Sequence, residues 1–405
     1  MSFYDSHFEG GTFIMKKKLL SLVLAGCMVA SLTACQSANK TEDSATDTTT
    51  ETTEATDAEE TDTETQSEAT VDGYEIALVT DIGTIDDKSF NQGAWEGVAQ
   101  YAEENQKTYK YYQPAEKTTD AYAETIELAI EGGAGIVVCP GYLFEEAVYI
   151  EQDKNPDVKF ILLDGEPHNA DYSEYKTGEN TMAILFQEDQ PGFLAGYAAV
   201  KEGYTKLGFM GGMAVPAVKK YGYGFVQGAE YAANEMGLDS VEISYNYTGG
   251  FDATPEVQTL AASWYGTGTE VIFGCGGGVG NSVMAAAEAN GTAVIGVDVD
   301  QSSESETVIT SAMKKLSVSV YDGIKSVYDN AFEGGKTTTF NAANNGIGLP
   351  METSKFTTFT SDDYDAIFAK LAAGEIEINN DTTEADANMA INALGLKNVK
   401  VSVVE

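Results

Sequence analysis

Gly135-Ile136-Val137-Val138-Cys139-Pro140-Gly141, a helix-length spacer, then Phe160-Ile161-Leu162-Leu163-Asp164: this stretch decides the fold, because the chain carries it twice. The second copy is Val271-Ile272-Phe273-Gly274-Cys275-Gly276-Gly277, a spacer, and Val294-Ile295-Gly296-Val297-Asp298. Each copy is an apolar run ending in Cys followed by one ending in Asp. Short apolar runs without polar alternation are strands buried on both faces, as in a parallel sheet covered by helices.

Working outward, the same alternation fills both halves. Strands are expected at 76–79, 109–112, 135–139 and 159–164, with helices at 89–105, 121–131 and 144–152 between them. The pattern restarts near Lys206, with strands at 207–210, 241–245, 271–275 and 294–298 and helices at 223–235, 255–265 and 283–289. The expected fold is α/β, two doubly wound Rossmann-like lobes joined by a hinge. Residues 73–188 with about 303–335 form lobe 1, and 189–302 with about 336–405 form lobe 2. The tail contributes an edge strand over 340–349 and a helix over 362–373.

Ligands of open α/β sheets gather beyond the carboxyl ends of the strands. That rule selects Thr80-Asp81, Cys139-Pro140-Gly141, Asp164, Gly211-Gly212, Gly276-Gly277-Gly278 and Asp298. Carboxylates accept hydrogen bonds from neighbouring hydroxyls, and glycines let backbone and ligand approach closely. The chain has 64 acidic and 23 basic residues, a net charge of −41, and every basic residue is Lys. Nucleic acid is repelled by such a surface. Without the guanidinium fork, carboxylate and phosphate ligands are disfavoured. Several Asp and no Arg suit a neutral polyol such as a ribose or another sugar.

Metal and nucleophile chemistry have little to draw on. Of the two His, His7 lies ahead of the export region, so a Ser-His-Asp triad would have to use His168, and a His-based metal cluster is excluded. Cys139 and Cys275 have no Cys-x-x-Cys partner, which argues against redox or zinc work and leaves one disulfide open.

The N-terminus reads as an address and an anchor. Met15-Lys16-Lys17-Lys18 precedes an apolar run to about Ala30 that is too short for a comfortable span, and Leu32-Thr33-Ala34-Cys35 follows. The last four resemble the lipobox of bacterial lipoproteins, which makes residues 15–34 the signal peptide and Cys35 the diacylated first residue of a chain held on the extracytoplasmic face of the cell membrane. Residues 1–14 read as a mis-assigned start. Residues 36–72 are almost wholly Thr, Glu, Asp, Ala and Ser with one Lys, Lys40, and read as an extended tether behind Cys35.

The most distinctive string is Thr80-Asp81-Ile82-Gly83-Thr84-Ile85-Asp86-Asp87-Lys88-Ser89-Phe90-Asn91-Gln92. With Phe186-Gln187-Glu188-Asp189-Gln190-Pro191-Gly192, Gly276-Gly277-Gly278-Val279-Gly280-Asn281 and Thr310-Ser311-Ala312-Met313-Lys314, it closely resembles the basic membrane lipoprotein family, over about residues 74–375. The resemblance implies a type I periplasmic-binding-protein fold and a monomeric receptor for purine nucleosides (guanosine, inosine, adenosine), serving an ABC permease and ATPase. It implies that Phe90 and Phe273 sandwich the base, and that Asp81, with Thr84 and Asn91 nearby, meets its edge. Asp164, Asp298, Lys314 and backbone at Gly276 would hold the ribose. Thr84 stands where the family's nucleoside receptors carry a longer polar side chain.

On the residues alone, plainer roles compete. Phe90 and Phe273 also fit core packing, Asp164 and Asp298 also fit helix capping, and Lys314 also fits a simple ion pair. Two other functions compete as well: a receptor for another neutral sugar-like ligand, and a nucleoside hydrolase. The hydrolase's calcium loop needs an Asp at the position of Val79, so binding without turnover is the expected activity.

Overall fold

The computed structural model describes residues 73–81 and 83–404. Ile76-Ala77-Leu78-Val79 is buried at every position, as a strand covered on both faces must be. In chain order the strands are β1 (Ile76–Val79), β2 (Tyr109–Tyr112), β3 (Ile136–Pro140), β4 (Lys159–Leu163), β5 (Thr181–Phe186), β6 (Lys206–Gly211), β7 (Val241–Tyr247), β8 (Val271–Cys275), β9 (Ala293–Asp298), β10 (Val308–Lys314), β11 (Lys336–Phe340), β12 (Ile347–Gly348) and β13 (Val399–Val403). The helices are α1 (Phe90–Glu104), α2 (Thr119–Glu131), α3 (Glu145–Lys154), α4 (Asp189–Glu202), α5 (Pro216–Met236), α6 (Pro255–Gly266), α7 (Gly278–Asn290), α8 (Leu316–Tyr328), α9 (Ser361–Ala372) and α10 (Ala387–Ala393).

Two sheets result, ordered β11-β5-β4-β3-β1-β2 and β12-β10-β9-β8-β6-β7-β13. Every pairing is parallel except β10 with β12. This is the expected α/β architecture of two doubly wound lobes.

The tail divides differently from the expectation. The stretch 303–335, expected in lobe 1, is split: β10 pairs with β9 in the second sheet, and only α8, packed on α1, lies with the first. The stretch 336–405 was assigned to lobe 2, yet β11 pairs with β5 as the exposed edge of the first sheet, while β12 and β13 join the second. An apolar strand carries no label for the sheet it joins; pairing partners decide it.

The chain therefore crosses between lobes after β5, after β10 and after β11. The crossings are tied together. Gln187 donates its N–H to Phe340 O (2.9 Å), Ala342 N–H donates to Gln190 Oε1 (2.7 Å), and Lys315 N–H donates to Gly346 O (3.0 Å).

Helix α4 is buried nearly all round, so it lacks the polar face that reveals a helix in sequence. It packs on α5 at backbone distance. A Cβ on Gly192 or Gly196 would meet the carbonyl of Tyr221 or Phe225, and a Cβ on Gly224 or Gly228 would meet the carbonyl of Asp189 or Phe193. This crossing fixes Glu188 at the start of α4 and Tyr221 on α5 beneath the strand ends of the second sheet.

Candidate functional site

The β1–α1 loop is organised by Asp87. Its Oδ1 accepts from the N–H groups of Ser89 (2.8 Å) and Gln92 (3.0 Å), and its Oδ2 from that of Asn91 (2.9 Å). Three orphan donors of the helix start are satisfied by this one carboxylate. Ser89 is thereby relieved of capping, and its hydroxyl donates to Asp298 Oδ2 in the other lobe at 2.6 Å. Asn91 donates its amide to Asp81 Oδ1 and to Asp87 Oδ2, both at 3.1 Å. Two carboxylate partners fix the amide nitrogen on that side, and Asn91 Oδ1 is left buried with no hydrogen-bond partner. Burial raises Asp81 above the usual carboxylate range, against the Gly83 N–H (2.6 Å) and Asn91, which pull it down. Tyr122, from α2, also has a buried hydroxyl without a partner. Burial, then the nearby Asp81 charge, pushes its phenol up.

Two strands along the sheet, β4 ends at Asp164. Its counterpart, Asp298, ends β9. Both hold left-handed backbone, φ 55° and 66°, so the repeated motif is a conformational repeat as well. They share one buried cluster. Lys314, only 3% exposed, ion-pairs with Asp164 Oδ2 and with Glu188 Oε1 (3.2 Å), and Glu188 Oε2 meets Lys220 Nζ (3.2 Å). Phe90, Phe186 and Tyr221 surround the Lys314 ammonium at 5.1, 5.3 and 5.5 Å from ring centre. Asp298 also accepts from the Tyr221 hydroxyl at 3.3 Å.

The charges explain the protonation. Burial alone would lower Lys314, but Asp164, Glu188 and Asp298 together raise it well above its ordinary value. Burial would raise Glu188, but Lys314 and Lys220 bring it below. Asp164 keeps the deficit: burial lifts it to about 7 despite Lys314, and its Oδ1 is buried without a partner. Burial also raises Asp298.

The two aromatic residues expected to face each other do not do so. Phe90 lies half-buried at the tip of β3, where a Cβ on Gly141 would meet its ring at 3.7 Å. Phe273 was expected to be the opposing ring, yet it is 0% exposed and packed among Phe225 (5.4 Å), Phe209 (5.5 Å) and Tyr221 (5.8 Å). Strand alternation points it at the α4–α5 layer, where it packs on Phe225 and Tyr221. The ring laid on the tips of β6 and β8 is Phe251. It is half-buried, a Cβ on Gly276 would meet it at 3.0 Å, and a Cβ on Gly212 would collide with it. Gly276, at φ 143°, is required there by its backbone as well.

Thr84 is exposed on its loop. Cys35 and the export region lie outside the described residues. His168 is buried between Glu145 Oε2 (3.2 Å from Nε2) and Asn169 O (2.7 Å from Nδ1), stacked by Tyr172, with no nucleophile in the arrangement. Cys139 and Cys275 are buried free thiols. Sequence reading missed Ser89, Glu188, Tyr221, Tyr122 and Phe251. Of these, Phe251 alone had a usable signal, an aromatic beside Gly249-Gly250 at the carboxyl end of β7.

Residues 75–382 match the family model described as ABC transporter substrate-binding protein PnrA-like. The ABC transporter nucleoside-binding protein BmpA of Lactococcus lactis is 30% identical over 299 residues, 68% of this chain and 81% of that protein. Basic membrane protein A2 of Borrelia garinii is 30% identical over 273 residues, 66% of this chain and 77% of that one. An ABC transporter solute-binding protein from Aeropyrum pernix superposes with a TM-score of 0.68 at 24% identity, covering 80% of this chain and 98% of its own. One from Conexibacter woesei gives 0.61 at 22%, covering 76% and 99%. At these identities the two structures speak to the fold.

Proposed function

Because this chain belongs to the PnrA-like family of ABC transporter substrate-binding proteins, we propose that it captures a purine nucleoside between its lobes, held to the outer membrane surface through a lipid on Cys35, and delivers it to a permease driven by an ATPase. Proteins of this family bind and hand on their solute rather than transform it, so the site is judged by recognition alone.

One arrangement carries the nucleoside reading. The polar groups come in two sets, Asp81 with Asn91 beyond β1 and Asp164 with Lys314 beyond β4. Strand β3 runs between them, which separates the sets by about 10 Å. Phe90 covers the β3 tip in between. A guest with a flat ring in the middle, hydroxyls at one end and hydrogen-bonding atoms at the other matches that order, and a nucleoside is such a guest. Carboxylates with a buried ammonium suit the ribose hydroxyls, which both donate and accept. Phe90 and Phe251, each set on glycine at a strand end of its own lobe, are the proposed stacking pair. The name of the Lactococcus relative supports the same class of solute.

The test is mass spectrometry of protein purified without added solute, followed by titration calorimetry with guanosine, inosine, ribose and glucose. A purine nucleoside as retained solute, saturable nucleoside binding and no hypoxanthine released from inosine are expected. Binding of free sugars but of no nucleoside would overturn the reading in favour of a sugar receptor.

A further inference from the structure

We infer that Asp81, Asn91 and Tyr122 form a selecting wall that prefers 6-oxopurine nucleosides, guanosine and inosine, over the 6-aminopurine adenosine. The inference rests on the nucleoside reading above and concerns the end of the guest farthest from the ribose.

Its basis is the direction of the buried polar atoms. Asp81 presents a carboxylate, an acceptor, and one of its oxygens is already anchored by Gly83 N–H and the Asn91 amide. Because Asn91 points its nitrogen at Asp81 and Asp87, its oxygen is the face left over, buried and without a partner. Asn91 is 4% exposed and Tyr122 1% exposed, so neither orphan is relieved by open solvent. An orphan of this kind is unfavourable until a ligand supplies the complement. The wall therefore offers two acceptors, Asp81 and Asn91 Oδ1, and one hydroxyl able to donate, Tyr122.

The outer edges of the purines differ in the matching sense. Guanine carries N1–H and a 2-amino group as donors and O6 as acceptor. Hypoxanthine keeps N1–H and O6. Adenine places a lone pair at N1 and an amino group at C6, so its N1 would face the Asp81 carboxylate lone pair to lone pair, while the Tyr122 hydroxyl would have to turn from donating to accepting. A site that hydrogen-bonds a given group discriminates strongly against analogues lacking it, because its own buried atoms are then unpaired.

Titration calorimetry at pH 7.5 with guanosine, inosine and adenosine tests this on the full chain, with three proteins. In the unmodified chain guanosine and inosine should bind at least tenfold tighter than adenosine, the loss of one hydrogen bond to a charged group. Asp81→Asn offers an amide that turns either way and should bring the three nucleosides within about threefold, chiefly by weakening guanosine. Tyr122→Phe keeps the ring in its pocket and should weaken guanosine and inosine several-fold, more than it weakens adenosine. Thermal melting of both variants confirms that they remain folded. Equal affinities in the unmodified chain, or tighter adenosine, would overturn the selection while leaving the nucleoside reading intact. Binding of none of the three would overturn both.

Discussion

Replacing Phe251 and Phe273 separately by Ala should produce opposite defects. Phe251 lies half-buried on the glycine tips of β6 and β8, at the margin of the core. Its loss removes a stacking face that contributes on the order of 1–3 kcal/mol, equal to a rise in Kd for guanosine of roughly 5- to 150-fold. The melting temperature should move by a degree or two. Phe273 is at 0% exposure with three aromatic rings packed on it. Truncating it leaves a cavity under the α4–α5 layer at about 3–5 kcal/mol, which in a domain of this size lowers the melting temperature on the order of 10 °C. The molecules that remain folded at 15 °C should bind guanosine within a few-fold of the unmodified chain, because Phe273 reaches the guest only through Tyr221. Differential scanning fluorimetry and calorimetry on the same preparations read both quantities. Should Phe251→Ala leave Kd unchanged while Phe273→Ala abolishes binding without destabilising the fold, the assignment of the two rings is refuted.

Other consequences follow from the buried charges and the helix crossing. Lys314→Met keeps the volume but leaves Asp164 and Glu188 without their shared ammonium; urea unfolding at pH 7.5 should show a loss of about 3–5 kcal/mol, smaller at pH 5.5, where Asp164 is protonated. Asp164 is raised to about 7 from an ordinary value of 3.8, so the folded protein holds that proton more tightly than the unfolded chain. Its contribution to stability is complete below about pH 4 and is lost as pH rises to about 7. Asp164→Asn abolishes that dependence, and its stability relative to the unmodified chain should climb between pH 4 and 7 and level off above, as followed by thermal melts across pH. Gly196→Ala pushes a methyl into the Phe225 carbonyl and should destabilise by more than 2 kcal/mol, whereas Gly266→Ala, which meets nothing, should be within a few tenths.

What was legible in the sequence, and what was not, follows physical lines. Strands such as 271–275 are legible because burial on both faces leaves only apolar residues, and their carboxyl-end Asp residues follow from the geometry of parallel sheets. Helix α4 was hidden because a helix buried on every side loses its periodicity, and its close packing on α5 depends on glycines that a sequence presents as flexible. Phe273 was misplaced because periodicity says that a residue lies in a buried strand without saying which layer its side chain enters. Glu188 carries no such signal, since a carboxylate at a helix start reads as dipole complement; only the fold brings Lys314 and Lys220 to it. The assignment of β10 and β11 to opposite lobes needed the pairing itself.

The cluster around Lys314 also bears on how a neutral guest could bring two lobes together. Its members come from both sides. Asp164 and Ser89 belong to the first lobe, Lys314, Asp298 and Tyr221 to the second, and Glu188 to a crossing. With the lobes together, Asp164 Oδ1 is buried and unpaired, and its proton affinity is raised to about 7. An unpaired buried group of this kind costs about 1–3 kcal/mol, more when charged. On the proposed reading, a ribose diol removes the cost at Asp164 by donating to it, and the base removes the matching costs at Asn91 Oδ1 and Tyr122. Together these amount to several kcal/mol of relief on binding. Shifting a two-state equilibrium from 1:99 to 99:1 takes about 5.5 kcal/mol of differential binding, and the place for that difference is the ribose end, where Lys314 meets Asp164 and Ser89 meets Asp298 across the lobes. Closure then requires no charge on the guest, and a protein without a single arginine loses nothing by lacking one.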